Sequence, residues 1–167
     1  GKVVRGVYLG AQVAVRMAPA IADAQKEHAR REARVHAAVF QLCPMHVVWL
    51  RGLLLRGGTS HMVMELAQSN LGALLHPSPP QEPRLEELLP LLSQLASELR
   101  AMHSQGVGHG NLKPGNVLLL KEGAGWRVKL ADLAVALSRT VGTVAYSCGG
   151  ARRGLRRCRM GATNVPP

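Results

Sequence analysis

The stretch His109-Gly110-Asn111-Leu112-Lys113-Pro114-Gly115-Asn116 gathers an imidazole, two amides and an ammonium into eight residues between a helix signal and a strand signal. Upstream of it, Leu85, Leu88, Leu89, Leu92, Leu95, Ala96, Leu99 and Met102 recur every three or four residues, the stripe of a long amphipathic helix buried on one side. Pro90 fits if the regular helix begins near it, because first-turn N–H groups have no partner within a helix. Gly106 and Gly108 end the helix. The preceding His76-Pro77-Ser78-Pro79-Pro80-Gln81-Glu82-Pro83 is a loop, since each Pro removes a donor and restricts its neighbour. Downstream, Val117 to Leu120 and Arg127 to Leu130 flank Glu122-Gly123-Ala124-Gly125, a hairpin by composition.

Towards the N-terminus, Val3, Val7, Leu9, Val13 and Val15 fall at odd positions, the period-two signal of strands with one buried face, and Gly10 supplies a turn between them. Ala20 to Val39 is rich in Ala, Glu, Arg and Lys without Pro or Gly, which predicts a partly exposed helix. Val47 to Leu55 and His61 to Leu66 predict two antiparallel strands joined by Arg56-Gly57-Gly58-Thr59. Strands, helix, strands and then mainly helix make an α+β chain of two lobes rather than alternating βαβ units. The expected divisions are a β-rich lobe over 1–67, the first part of a helical lobe over 68–146, and a disordered basic tail over 147–167.

A chain of 167 residues with 47% hydrophobic and 19% charged residues is long and apolar enough for one folded domain. Its apolar runs fall far short of the roughly 18 residues that span a bilayer, so no transmembrane segment is expected. Cys43, Cys148 and Cys158 are an odd, widely spaced set, which predicts a reducing, cytoplasmic compartment and no zinc site. The net charge of +11 would suit a nucleic-acid partner, but Arg152, Arg153, Arg156, Arg157 and Arg159 carry much of the excess. One Phe, two Tyr and two Trp leave little aromatic surface for stacking on bases, which argues against nucleic acid.

Several segments, in order, resemble the signature set of the protein kinases. Gly1-Lys2-Val3-Val4-Arg5-Gly6 is similar to the end of the glycine-rich nucleotide loop, and Val13-Ala14-Val15-Arg16 to the strand whose final Lys pairs nucleotide phosphates and a helix Glu. Here that Lys is Arg16, with Glu32 as its implied partner and Glu27 as an alternative. Val63-Met64-Glu65-Leu66-Ala67 resembles the strand entering the interlobe hinge, Met64 limiting the depth of an adenine pocket and the backbone near Glu65 and Ala67 reading adenine. His109 to Asn116 resembles the family's catalytic loop, HRDLKPxN. The resemblance implies a phosphoryl-contacting Lys113 and a metal ligand at Asn116. Lys129-Leu130-Ala131-Asp132-Leu133-Ala134 resembles the segment whose Asp holds magnesium, and Gly142-Thr143-Val144-Ala145-Tyr146 the end of the activation segment.

The resemblance covers about residues 1 to 146 and implies an incomplete two-lobed kinase fold of the Ser/Thr, tyrosine-kinase-like group, the basic tail being the product of a frameshift, retained intron or truncated gene model. It implies nucleotide-site residues Gly1, Val3, Ala14, Arg16, Glu32, Met64, Glu65, Ala67 and Leu118, catalytic-loop residues His109, Asn111 and Lys113, and metal ligands Asn116 and Asp132. ATP and Mg2+ are the implied cofactors, and a protein substrate or protein partner the implied macromolecule. The departures are chemical. Gly110 replaces an Arg that meets activation-loop phosphate, Asn111 replaces the Asp that accepts the substrate's hydroxyl proton, and Leu133-Ala134 replaces Phe-Gly. An amide cannot serve as that base. The expectation is therefore a pseudokinase that binds ATP with weak or lost phosphotransfer. An active Ser/Thr kinase is the alternative, followed by a basic interaction module or a non-functional fragment.

Overall fold

A computed structural model of the chain describes residues 2–77, 79 and 84–133, together with the backbone of 137 and 138. Gly1, Ala134, Gly142 to Tyr146, the tail over 147–167 and part of the 76–83 loop lie outside the described residues.

The first hairpin pairs β1 (Lys2–Tyr8) with β2 (Ala11–Pro19) antiparallel, Val3 facing Arg16 and Gly6 facing Val13. Leu9 and Gly10 turn the chain at positive φ of 50° and 77°, the second of which costs glycine nothing. The odd-position valines do not form one buried face: Val13 is buried, whereas Val3, Val7 and Leu9 are exposed. Among the described residues β1 is an edge strand, paired with β2 alone.

Helix α1 (Asp23–Leu42) starts three residues later than the composition predicts and runs three residues further. The delay has a local cause. The Gln25 side-chain oxygen accepts from the backbone N–H groups of Ile21 and Ala22 at 2.9 and 3.1 Å, and Ala20 N–H donates to the Gly58 carbonyl at 2.8 Å. β3 (Leu50–Arg56) and β4 (Thr59–Glu65) complete a sheet of order β1-β2-β4-β3. Val47 and Val48 are not part of β3, as the apolar run suggested. They are fully buried at a seam with another sheet, where Val48 N–H donates to the Leu130 carbonyl and Leu130 N–H to the His46 carbonyl, both at 2.9 Å.

That second sheet contains β5 (Ser69–Asn70), β7 (Val117–Glu122) and β8 (Gly125–Leu130), with β7 between the others. The short helix α2 (Leu71–Leu75) is capped by Asn70, whose side-chain oxygen accepts from Ala73 N–H at 2.9 Å. α3 (Leu85–Ser104) follows, then β6 (Val107–Gly108), which pairs with β9 (Leu137–Ser138).

Two expectations for α3 need correction. The helix begins at Leu85, not near Pro90, because Arg84 is already the extended cap and Glu86 and Glu87 favour the first turn. Pro90 therefore sits inside the helix and withholds one i→i−4 hydrogen bond from the Glu86 carbonyl. The leucine stripe also splits: Leu91 and Met102 are buried, with Leu88, Leu95 and Leu99 packed partly against the core, while Leu85, Leu89 and Leu92 face solvent. The core joins α1, α3 and the β7–β8 hairpin through Val35, Val39, Val47, Leu91, Met102, Leu119, Val128, Leu130 and Leu133.

Candidate nucleotide site

Between the two sheets lies a cavity of about 440 Å³, lined in part by Val3, Ala14, Met64, Ala67 and Leu118, an apolar slot fit for a flat heteroaromatic ring. Arg16 and Glu32 line one wall and Asn116 and Asp132 another. Of the sequence-derived site residues, those from Val3 to Leu118 named for the nucleotide share this cavity, as do Asn116 and Asp132; Gly1 lies outside the described residues. His109, Asn111 and Lys113 do not line it. Lys113 is exposed, while His109 is buried and Asn111 is half-buried behind Asp132.

Arg16 reaches from β2 to α1, where its guanidinium pairs with the Glu32 carboxylate and also donates to the Met62 sulfur at 2.8 Å. Glu32 is buried, so this contact ties the helix to the sheet through a charge-assisted bond. Glu27 instead lies on the exposed side of α1 and pairs with Arg34 and Arg30. One turn on from Glu32, His36 faces the same cavity and its Nε2 lies 2.6 Å from the Val48 carbonyl. Burial is the main influence on its imidazole and holds it below the ordinary histidine pKa.

Asp132 has φ 61°, left-handed backbone that Asp tolerates better than most side chains, and it turns its carboxylate back towards the stretch from His109 to Asn116. There Asn111 Nδ2 donates to Asp132 Oδ2 at 2.7 Å and Asn116 Nδ2 to the same oxygen at 3.3 Å. Asn116 Nδ2 also donates to the Asn111 carbonyl at 2.9 Å. His109 underpins this loop. Its Nδ1 accepts from Asn111 N–H at 3.2 Å, which makes Nε2 the protonated nitrogen donating to the Ala131 carbonyl at 3.0 Å. Burial again lowers this imidazole's pKa, in keeping with a neutral ring.

Other cavity residues carry no sequence signal of their own. Arg5 and His36 are isolated charged or titratable residues in strand and helix patterns, and Gln68 to Asn70 precede α2 without a motif. The pairing of β1 with β2 brings Arg5 to the cavity and that of β5 with β7 brings Ser69 and Asn70, while His36 comes with α1.

The protein kinase domain family matches residues 1–150 of this chain. Serine/threonine-protein kinase pkn2 of Myxococcus xanthus is 34% identical over 134 residues, covering 78% of this chain and 15% of that protein. Serine/threonine-protein kinase PkaA of Streptomyces coelicolor is 34% identical over 124 residues, covering 68% of this chain and 22% of the relative. Serine/threonine/tyrosine-protein kinase HT1 of Arabidopsis thaliana is 27% identical over 143 residues, covering 83% of this chain and 36% of its own length. The chain belongs to the protein kinase family, with Ser/Thr protein kinases among its relatives, and it spans about a fifth of the length of the first two. No described helix is long and apolar enough to cross a membrane.

Proposed function

We propose that this chain binds a purine nucleotide in the intersheet cavity and transfers phosphate weakly or not at all, as a pseudokinase. The observation that carries this reading is the Asn111 amide, which donates to Asp132 where a proton-accepting carboxylate would be needed. Phosphoryl transfer relies heavily on positioning and electrostatics, so a site without its base loses rate and keeps its ligand.

The apolar slot formed by Val3, Ala14, Met64 and Leu118 would hold adenine, with backbone groups near Glu65 and Ala67 at its edge. Glu65 N–H is already given to the Trp49 carbonyl at 2.8 Å, which takes that donor out of play for a ligand. Arg16 would meet phosphate while shared with Glu32, and Lys113 would reach a transferred group only from the exposed side. Asp132 and the Asn116 side-chain oxygen are the hard oxygen donors a magnesium ion takes. Among the described residues there is no cluster of three or more His, Cys, Asp or Glu, so phosphate and water would complete the ion's shell. Bound there, Mg2+ would neutralise phosphate charge.

In this reading residues 1–67 form the nucleotide-covering lobe and 68–146 the start of the supporting one. The partner is a protein, and a reducing, cytoplasmic setting suits Cys43, a buried free thiol. An active Ser/Thr kinase is the second reading, favoured by the retention of Lys113, Asn116 and Asp132.

Thermal melting with ATP and magnesium tests the binding. A ligand at a hundred times its Kd stabilises by about 2.7 kcal/mol, and no shift at millimolar ATP overturns the nucleotide reading. Phosphotransfer to a generic protein substrate should be at background, rising in the double variant Asn111→Asp with Arg16→Lys; brisk turnover by the unaltered chain would favour the second reading.

A further inference from the structure

Among the described residues that line this cavity, Glu32 and Glu65 are paired with cations and Asp132 is not, and its Oδ2 accepts two amide hydrogens, from Asn111 at 2.7 Å and Asn116 at 3.3 Å. We infer that Asn111 occupies the carboxylate oxygen a divalent cation would take, so that the cavity takes its nucleotide without needing a metal ion on Asp132. The inference rests on the nucleotide-binding reading and sharpens it.

Magnesium demands near-ideal octahedral geometry and gives up water reluctantly, so it binds weakly where a donor oxygen must first be freed. To reach Oδ2 here an ion must displace the shorter of the two amide bonds. That bond is charge-assisted and half-buried, which places it among the stronger hydrogen bonds a protein makes. Asn111 is held in place to make it. Its backbone N–H is fixed on His109 Nδ1 and its carbonyl accepts from Asn116 Nδ2, so the side-chain amide leaves a backbone anchored at both ends.

The other carboxylates of the wall are paired without a metal. Arg16 is neutralised by Glu32, and Glu65 by Lys129, whose ammonium lies 2.8 and 3.0 Å from its two carboxylate oxygens. Arg5 lines the cavity from the exposed edge strand and adds a positive charge there. A cation in this wall would therefore relieve no unpaired anion other than the amide-capped Asp132.

The opposite situation can be made by one substitution. Asn111→Asp replaces the donating amide with an oxygen facing Asp132 Oδ2, two carboxylates at hydrogen-bond distance that cannot both be ionised without a proton or a cation between them. Metal dependence should then appear.

The test is titration of the full chain with a fluorescent ATP analogue in magnesium and in EDTA. The unaltered protein should show Kd values within about threefold of each other. Asn111→Asp should bind at least about tenfold more tightly with magnesium than without. Should that variant fail to fold, Asn111→Ala carries the test, because it leaves Oδ2 only the longer bond from Asn116 and adds no charge; it should also gain magnesium dependence. Manganese binding, followed by its electron paramagnetic resonance signal, should be stronger in either variant than in the parent. Binding by the parent that collapses in EDTA overturns the inference and leaves the nucleotide reading intact. Equal indifference to metal in parent and variants overturns the role given to Asn111. No binding under any condition overturns the nucleotide reading, and this inference falls with it.

Discussion

The Lys129 ammonium bridges both carboxylate oxygens of Glu65, at 2.8 and 3.0 Å, and so joins the last residue of β4 to the strand that leads into Asp132. Glu65 Oε2 also accepts from Trp49 N–H at 3.2 Å. One carboxylate thus holds β4, β8 and the residue before β3 together at the rim of the cavity. Lys129 is only 13% exposed, so the pair is poorly screened. Lys129→Met should cost about 1–3 kcal/mol, the usual loss when a charged hydrogen-bond partner is removed, and urea unfolding would measure it. An unchanged midpoint would show the pair to be ornamental.

Glu32→Gln should destabilise by a similar amount, about 1–3 kcal/mol, because it keeps an oxygen acceptor but removes the negative charge that pairs with the partly buried Arg16 guanidinium. Arg16→Lys keeps a positive charge and should cost less. If Glu32→Gln proved neutral while Glu27→Gln did not, the exposed pairing of Glu27 with Arg34 would be the one that matters.

His36 and His109 make the fold sensitive to acid. Burial holds both imidazoles below the ordinary pKa, so the unfolded chain takes up protons first as pH falls. Stability therefore rises with pH across this window: the contribution is complete above the unfolded value of about 6.5 and is lost as pH falls from there towards the depressed folded values. Denaturant midpoints measured between pH 5 and 8 should decline on the acid side, and His36→Leu should flatten that decline. A midpoint independent of pH would contradict the neutral assignment of both rings.

Pro90 offers a gain rather than a loss. It is exposed inside α3 and withholds a hydrogen bond, so Pro90→Ala should stabilise the protein by about 1 kcal/mol, well under the roughly 3 kcal/mol of an ideal helix interior because the native helix has already relaxed around the ring. A rise of a few degrees in the melting temperature would register it. A fall would mean that the rigidity of the ring contributes more than the hydrogen bond it withholds.

Elements with strong local signals were legible in the sequence. The β1–β2 hairpin follows from a period-two run around Gly10, the β7–β8 hairpin from two short segments around a glycine-containing turn, and the helix of 85–104 from its leucines. The helix start was not, because Pro90 looks like a beginning when the extended backbone of Arg84 is unseen. Nor was the place of Val47 and Val48. An apolar run reads the same whether it joins its neighbour's ladder or a strand some eighty residues away, and here Val48 bonds to Leu130. Motif order made most of the cavity readable, from Ala14 to Asp132. It could not reveal that Asn111 would turn to Asp132, since the loss of a base says nothing about what the replacing amide will find to bond. His36 and Lys129 stayed hidden for the same reason: each depends on a partner distant in sequence.

The seam through which Val48, His46 and Leu130 exchange hydrogen bonds is made of backbone atoms alone. Every amino acid but proline supplies the same N–H and C=O, so this joint is indifferent to substitution in a way that the Asp132 and Arg16 contacts are not. The chemistry of the cavity can thus change one side chain at a time while this backbone frame goes on holding its walls together.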